Sequence, residues 1–264
     1  MKEQDVKYLA GLIDADGYFG FEFHSSNKVY LIFKLCAAHS IDKHRYVASL
    51  PELTTFGSVC TKKRKNPNWS PIDYWSITKR RDLEMFIPRI VKHLVIKGKH
   101  AQRLFDKWRE YRGVTLTDLE VEQLKAYSKA SRLDAGPLKP KKHPSWAWVA
   151  GYLDGDGSYI FSHPPSHKNP RMLIQATAHK NDRVSLDLLN KAFGGRVETR
   201  GKNSPHILDW RHNLGKREKS FAIKFLQKVV KHSKLKKHKI ETMLAYIHSN
   251  YTDLHRLSEV SSTE

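Results

Sequence analysis

Two aspartates, Asp16 and Asp156, occupy the same place in two copies of one string 140 residues apart. The copies are Tyr8-Leu-Ala-Gly-Leu-Ile-Asp-Ala-Asp-Gly17 and Trp148-Val-Ala-Gly-Tyr-Leu-Asp-Gly-Asp-Gly157. Each aspartate falls at the C-terminal end of an apolar helical stretch, where the macrodipole is negative and the last carbonyls lack partners. Two such helices packed side by side would bring the carboxylates together. Like charges, bare carbonyls and the dipole would then all raise the carboxylate pKa values. A divalent cation relieves all three. Mg²⁺ takes hard oxygen ligands: one carboxylate from each copy, the carbonyls of Ala15 and Gly155, waters and a phosphate. Such a site suits metal-assisted phosphodiester hydrolysis. Small residues four apart, Gly11 with Ala15 and Gly151 with Gly155, give each helix a flat strip against which a second backbone can rest.

The strings resemble the LAGLIDADG motif of a family of homing endonucleases. Leu9–Gly17 reproduces the motif letter for letter, and the second copy departs at Val149, Tyr152, Leu153 and Gly155. The resemblance implies that the second acids, Asp16 and Asp156, bind metal. The first acids, Asp14 and Asp154, are expected to be structural, with local hydrogen bonds near the helix end. It also implies a basic residue near the scissile phosphate in each half. Lys97 and Lys236 follow the acids by 81 and 80 residues, with Lys99 and Lys237 as the nearest competitors. A water-ordering residue, often Gln in the family, is implied at the end of the second strand. His39 and His179 fall there, or one residue beyond. In the earlier register Ala38 and Ala178 take the place, the histidines become phosphate contacts, and Gln175 gains weight. The departure from Gln leaves that part of the mechanism open.

The implied activity is metal-dependent cleavage of both strands of a long DNA site, leaving short 3′ overhangs. Mg²⁺ is the expected cofactor, with Mn²⁺ able to substitute and Ca²⁺ binding without supporting cleavage. The implied protein is a monomer with two motifs, freestanding or intron-encoded, because no intein splicing residues are evident. Two rival readings keep the same fold: an RNA-binding maturase whose partner is intron RNA, and a catalytically inactive DNA-binding regulator.

Composition supports a polyanionic partner. Lys and Arg number 47 against 27 Asp and Glu, a formal charge of +20 that favours nucleic acid. These charges are spread over both halves rather than along one amphipathic helix, so a membrane surface ranks low. No long uncharged apolar run reads as a membrane span, and the N-terminus reads as neither signal nor transit peptide. Two cysteines, Cys36 and Cys60, form neither a disulfide framework nor a zinc quartet. The expected setting is a reducing intracellular compartment: bacterial or archaeal cytoplasm, or an organelle.

The duplication extends past the strings. Val91-Lys-His93 returns as Val230-Lys-His232, Phe56-Gly57 as Phe193-Gly194, and the His39/Asp42 pair as His179/Asp182. Nearly constant offsets imply two copies of one supersecondary unit about a pseudo-twofold axis. Periodicity within each copy predicts αββαββα followed by a further helix, an α+β fold of two twisted antiparallel sheets backed by helices. The units are expected at 1–112 and 145–264, joined by a linker at 113–144. The linker holds an amphipathic helix at 117–131 and then a basic, proline-rich stretch. The last helix is expected at 236–249, and the tail after Thr252 is expected to fray.

Each sheet should leave one face free, and two such faces would form a basic saddle for the DNA major groove. Outward positions on the first strand are Tyr18, Glu22 and His24, and on its counterpart Ser158, Ile160 and Ser162. Arg64, Arg171, Arg196 and Arg200 are further candidates. Lys62, Lys63, Lys65, Lys139, Lys141 and Lys142 are expected on phosphates. The two sets differ, which predicts a non-palindromic target.

Overall fold

The computed structural model describes residues 1–23, 27–37, 41–63, 66, 71–134, 136–137, 143–162, 171–214 and 219–260. The first unit runs α1 (Glu3–Asp16), β1 (Gly17–Phe23), β2 (Val29–Ala37), α2 (Ile41–Thr54), β3 (Ser58–Lys62), β4 (Ile72–Ile77), α3 (Arg80–Ile90) and α4 (Gly98–Tyr111). The connecting segment contributes α5 (Asp118–Leu133). The second unit runs α6 (Trp146–Asp156), β5 (Gly157–Ser162), β6 (Arg171–His179), a 3₁₀ turn (Lys180–Asp182), α7 (Val184–Phe193), β7 (Arg196–Thr199), β8 (Ile207–Asn213), α8 (Lys219–Val230) and α9 (Lys237–Val260).

Both sheets are antiparallel and share one topology, β1-β2-β4-β3 and β5-β6-β8-β7. The expected fold class is the observed one. Two boundaries differ. The linker helix expected at 117–131 runs to Leu133, and α9 continues to Val260 rather than stopping at 249.

The Phe-Gly echo has a physical cause. Gly57 and Gly194 both adopt φ of 73°, a conformation that L side chains rarely take. At each turn a backbone carbonyl accepts from a buried indole: Trp75 Nε1 donates to Phe56 at 2.9 Å, and Trp210 Nε1 to Gly194 at 2.8 Å. Each tryptophan is fully buried and anchors its sheet to the helices behind it.

The two units meet through α1 and α6. Residues 8–14 and 147–154 are buried without interruption, so neither helix has a solvent face along that length. A Cβ on Gly11 would lie 2.0 Å from the Trp148 carbonyl oxygen, and one on Gly151 would lie 2.0 Å from that of Tyr8. Only glycine permits this approach. The same pair exchanges side-chain bonds. Tyr8 Oη donates to Asp154 Oδ2 at 2.8 Å, and Trp148 Nε1 donates to Asp14 Oδ2 at 2.8 Å.

Gly11→Ala should therefore destabilise the protein by about 3 kcal/mol, because the obstacle is backbone rather than a movable side chain. Tyr8→Phe should cost about 1–3 kcal/mol by removing one donor to the buried Asp154. Chemical denaturation of both variants against the parent measures the two losses.

Candidate active site

The first acids are structural, but not through local bonds. Asp14 accepts from the backbone N–H groups of Val95 (2.7 Å), Ile96 (3.2 Å) and Lys97 (2.8 Å), immediately before α4. Asp154 accepts from the N–H groups of Lys234 (2.8 Å) and Leu235 (3.0 Å) and from Ser233 Oγ (2.8 Å), immediately before α9. Each carboxylate thus pins the backbone turn that leads into a helix, more than 75 residues away in sequence. Burial pushes the Asp14 carboxyl upward, and the amides together with the Trp148 indole oppose that push.

These bonds position the lysines. With its backbone held by Asp14, Lys97 turns its Nζ onto the carbonyls of Ile13 (3.0 Å), Ala15 (3.3 Å) and Gly17 (2.8 Å). Lys236 does the same in the second unit, donating to Leu153 at 2.7 Å and to Gly157. Both ammonium groups therefore serve the open carbonyl ends of the motif helices. Burial pushes the Lys97 pKa down, and it pushes that of Lys236 down to about 8. The competitors point elsewhere. Lys99 reaches toward Gly136, and Lys237 faces Glu241 at 3.8 Å.

The second acids converge at the same end. Asp16 Oδ2 lies 2.6 Å from a Cβ built on Gly155, so the missing methyl keeps room beside it. The Asp156 carboxyl is pushed up to about 6, first by burial and then by the charge of Asp16, while Lys97, Lys43 and Lys236 pull it back. Asp156 lines a cavity of about 220 Å³ with Ala15, Lys97, Tyr152, His179 and Asp182. His179 ends β6, and its Nδ1 accepts from the Asn181 amide at 3.3 Å. Ala178 lines the same cavity, so both registers of the water-ordering position open onto it. His39 lies outside the described residues.

Sequence reasoning missed Lys43. Its Nζ is 2.6 Å from Asp16 Oδ2, so one motif aspartate already carries a cation. The equivalent position of the second unit is Arg183, whose guanidinium turns to Asp187 at 3.1 Å. Among the described residues no side chain donates to Asp156 in this way. Asp182, noted only as a marker of the repeat, is a third carboxylate at the cavity wall. No three His, Cys, Asp or Glu side chains converge on a metal position among the described residues. A cation here would be held by the two aspartates and completed by oxygens from backbone, water and substrate. That donor set, with the Gly155 clearance and the raised Asp156 carboxyl, fits a hard divalent ion.

The sheet faces carry the remaining candidates. Tyr18 is 40% exposed, with its ring over Gly20, and Glu22 is paired with Lys34 at 2.7 Å. In the second unit Ser158, Gln175, Arg211 and Arg196 lie in one cross-strand row. Ser158 is exposed, Ile160 and Ser162 are half-buried, and Ser162 pairs with Arg171, whose backbone opens β6. Arg196 faces Glu198 at 3.3 Å. The Arg200 guanidinium is turned inward onto buried Asp209 (3.0 Å) and Thr177 (2.7 Å), so it braces the sheet rather than standing free for a base. Arg211, not singled out from sequence, spans Asp209 and Glu198. Lys62 and Lys63 are exposed. His24, Arg64, Lys65, Lys139, Lys141 and Lys142 lie outside the described residues.

The sequence matches no protein-family model and no curated protein. Solved structures do match over nearly the whole chain. The LAGLIDADG homing endonuclease I-GzeII in complex with its DNA target is 13% identical, with a TM-score of 0.66 over 98% of this chain and 97% of that one. I-SmaMI bound to cleaved DNA is 20% identical, with a TM-score of 0.63 over 96% and 94%. I-LtrWI bound to target DNA is 17% identical, with a TM-score of 0.66 over 99% and 98%. With two αββαββα units joined through paired motif helices, this chain has the fold of the LAGLIDADG homing endonucleases.

Proposed function

We propose that the protein is a site-specific DNA endonuclease that cuts both strands of a long, non-palindromic duplex by divalent-metal-dependent hydrolysis. The observation that carries this reading is the meeting of Asp16 and Asp156 at the C-terminal ends of α1 and α6, with a lysine on each helix end. The neighbours of like fold support it, one described as bound to cleaved DNA and one as bound to an uncleaved target in the presence of calcium ions. The chain supplies both motifs itself, which supports action as a monomer. Among the described residues no helix is long and apolar enough to cross a membrane.

In this reading Asp16 and Asp156 would hold Mg²⁺, with the Ala15 and Gly155 carbonyls able to add further oxygens. Bound there, such an ion would supply an activated water and would neutralise charge on the leaving oxygen. The protein residues prepare the site. Asp14 and Asp154 hold the backbones that carry Lys97 and Lys236. Those lysines keep positive charge where phosphate oxygens would enter. His179 and Asp182 border the space in which a water would be ordered. Lys43 balances Asp16 until substrate arrives.

A plasmid carrying the intron-free junction of the host gene tests the reading. Linearisation with Mg²⁺, none with EDTA, and binding without cutting in Ca²⁺ are expected. Salt-sensitive binding with no cutting in Mg²⁺ would overturn it in favour of a binding protein. Asp156→Asn and Asp16→Asn should each abolish cleavage while leaving duplex affinity within about threefold, a change below 1 kcal/mol. Gel shift and plasmid assays separate the two effects.

The raised Asp156 carboxyl gives a pH prediction. In the folded chain its pKa of about 6 lies above the ordinary aspartate value of 3.8. Its linkage therefore favours the metal-free fold below about pH 4, and that contribution is lost as pH rises through about 6. Ionisation is what metal binding needs, so Mg²⁺ affinity should rise over the same window and level off above it. Titration calorimetry from pH 5 to 8 reads this, and Asp156→Asn should flatten it. Lys43→Gln should alter cutting of one strand more than the other, seen as a changed ratio of nicked to linear plasmid.

A further inference from the structure

Beside the first sheet lies a basic ridge that the paired-carboxylate site does not use. Helix α5 starts with a complete capping box between Thr117 and Glu120 and buries Val121, Leu124 and Ser131. Ser131 Oγ and His100 Nδ1 are 2.7 Å apart, and Asn27 donates to Asp118 at 2.8 Å, so both ends of the helix are tied to the first unit. Lys125, Lys129 and Arg132, at i, i+4 and i+7, share one face. Lys125 Nζ stands 5.8 Å from the Phe23 ring centroid, and the Arg132 guanidinium 5.5 Å from that of Tyr18.

With Phe21 and Ser128 these side chains line a groove of about 250 Å³. A second hollow, of about 190 Å³, shares Tyr18 and Arg132 with that groove and reaches Lys97 and Asp182. Those two residues also line the cavity that contains Asp156. Three hollows with shared walls thus lead from the carboxylates, past Arg132, to the outer end of the ridge.

We propose that this face of α5 carries the sugar-phosphate backbone of a DNA strand as it leaves the active site on the side of the first unit, so the helix between the units is part of the DNA interface. The inference rests on the endonuclease reading above. The charges are available. Lys129 has no partner among the described residues, no carboxylate pairs with Arg132 there, and the one carboxylate that pairs with Lys125 there is the exposed Glu122 at 2.6 Å. The spacing suits phosphates. Seven residues of helix rise about 10 Å, and a strand presents one phosphate per ~3.4 Å of duplex axis. Continuity with the carboxylates keeps the occupant in register with the bond to be cut.

The test compares the parent protein with Lys129→Gln, with the triple variant K125Q/K129Q/R132Q, and with Glu122→Gln. Each binds the junction duplex in Ca²⁺ over a range of NaCl. The slope of log K against log salt should fall by about 0.9 for each phosphate contact removed. Glu122→Gln should tighten binding, because it releases Lys125. Ethylation interference should lose its signal on a short run of phosphates on one side of the cleavage site only. Lys129→Gln replaces an exposed residue without a partner, so its melting temperature should match the parent and a changed slope will not reflect unfolding. Unchanged slopes in a parent that binds the duplex would overturn the ridge. Slopes that fall on a structured RNA and not on the duplex would also overturn it. A parent that fails to bind the duplex would overturn the endonuclease reading itself.

Discussion

At the centre of α1 and α6 the two backbones touch with no space for a Cβ on either side, and the rest of the site follows from that contact. Helices this close bring their C-terminal ends together, and with them Asp16 and Asp156. The contact is made tolerable by what surrounds it. Tyr8 and Trp148, the first residues of the two strings, each reach across to the first acid of the other string. Loss of helix propensity at Gly11 and Gly151, about 1 kcal/mol each, is offset by unbroken apolar burial along both helices.

Convergence creates an electrostatic problem that the structure answers in two layers. Two helix ends, each negative and each short of hydrogen-bond donors, face the same space as two carboxylates. Lys97 and Lys236 satisfy the carbonyls, held there by backbones that Asp14 and Asp154 fix. The two acids of each string therefore divide the labour. The first is spent on architecture and places the lysine, and the second is left at the open end. This division explains why the first acids are buried while Asp16 and Asp156 retain access.

Much of this arrangement was legible in the sequence because it is written locally. Apolar spacing and the glycines after Asp16 and Asp156 marked the motif helices, and alternation marked the strands. The flat strips predicted the helix contact, and the constant offset predicted two units. What escaped depends on distance along the chain. Spacing alone does not show that Asp14 reaches amides at Val95 to Lys97, so its bonds were expected to be local. Lys43 is one of 47 Lys and Arg residues, and nothing beside it in the chain marks its pairing with Asp16. Arg200 looked like a reader of bases because its partner Asp209 comes from a neighbouring strand.

The two units differ along their outward sheet rows, while the glycines and both acids of the contact between them recur in each copy. Across the first sheet the row that begins two residues after Asp16 is Tyr18, Lys34, Ser76 and Ser58. The equivalent row of the second sheet is Ser158, Gln175, Arg211 and Arg196. At the acids, Lys43 is replaced by Arg183, which turns away. A twofold homodimer could not hold such differences, since every change would appear in both halves. Fusing both copies into one chain releases that constraint, while the contact between α1 and α6 still demands glycine at Gly11 and Gly151. The glycines and acids that place the site are therefore held in common, and the symmetry is lost in the part that faces outward.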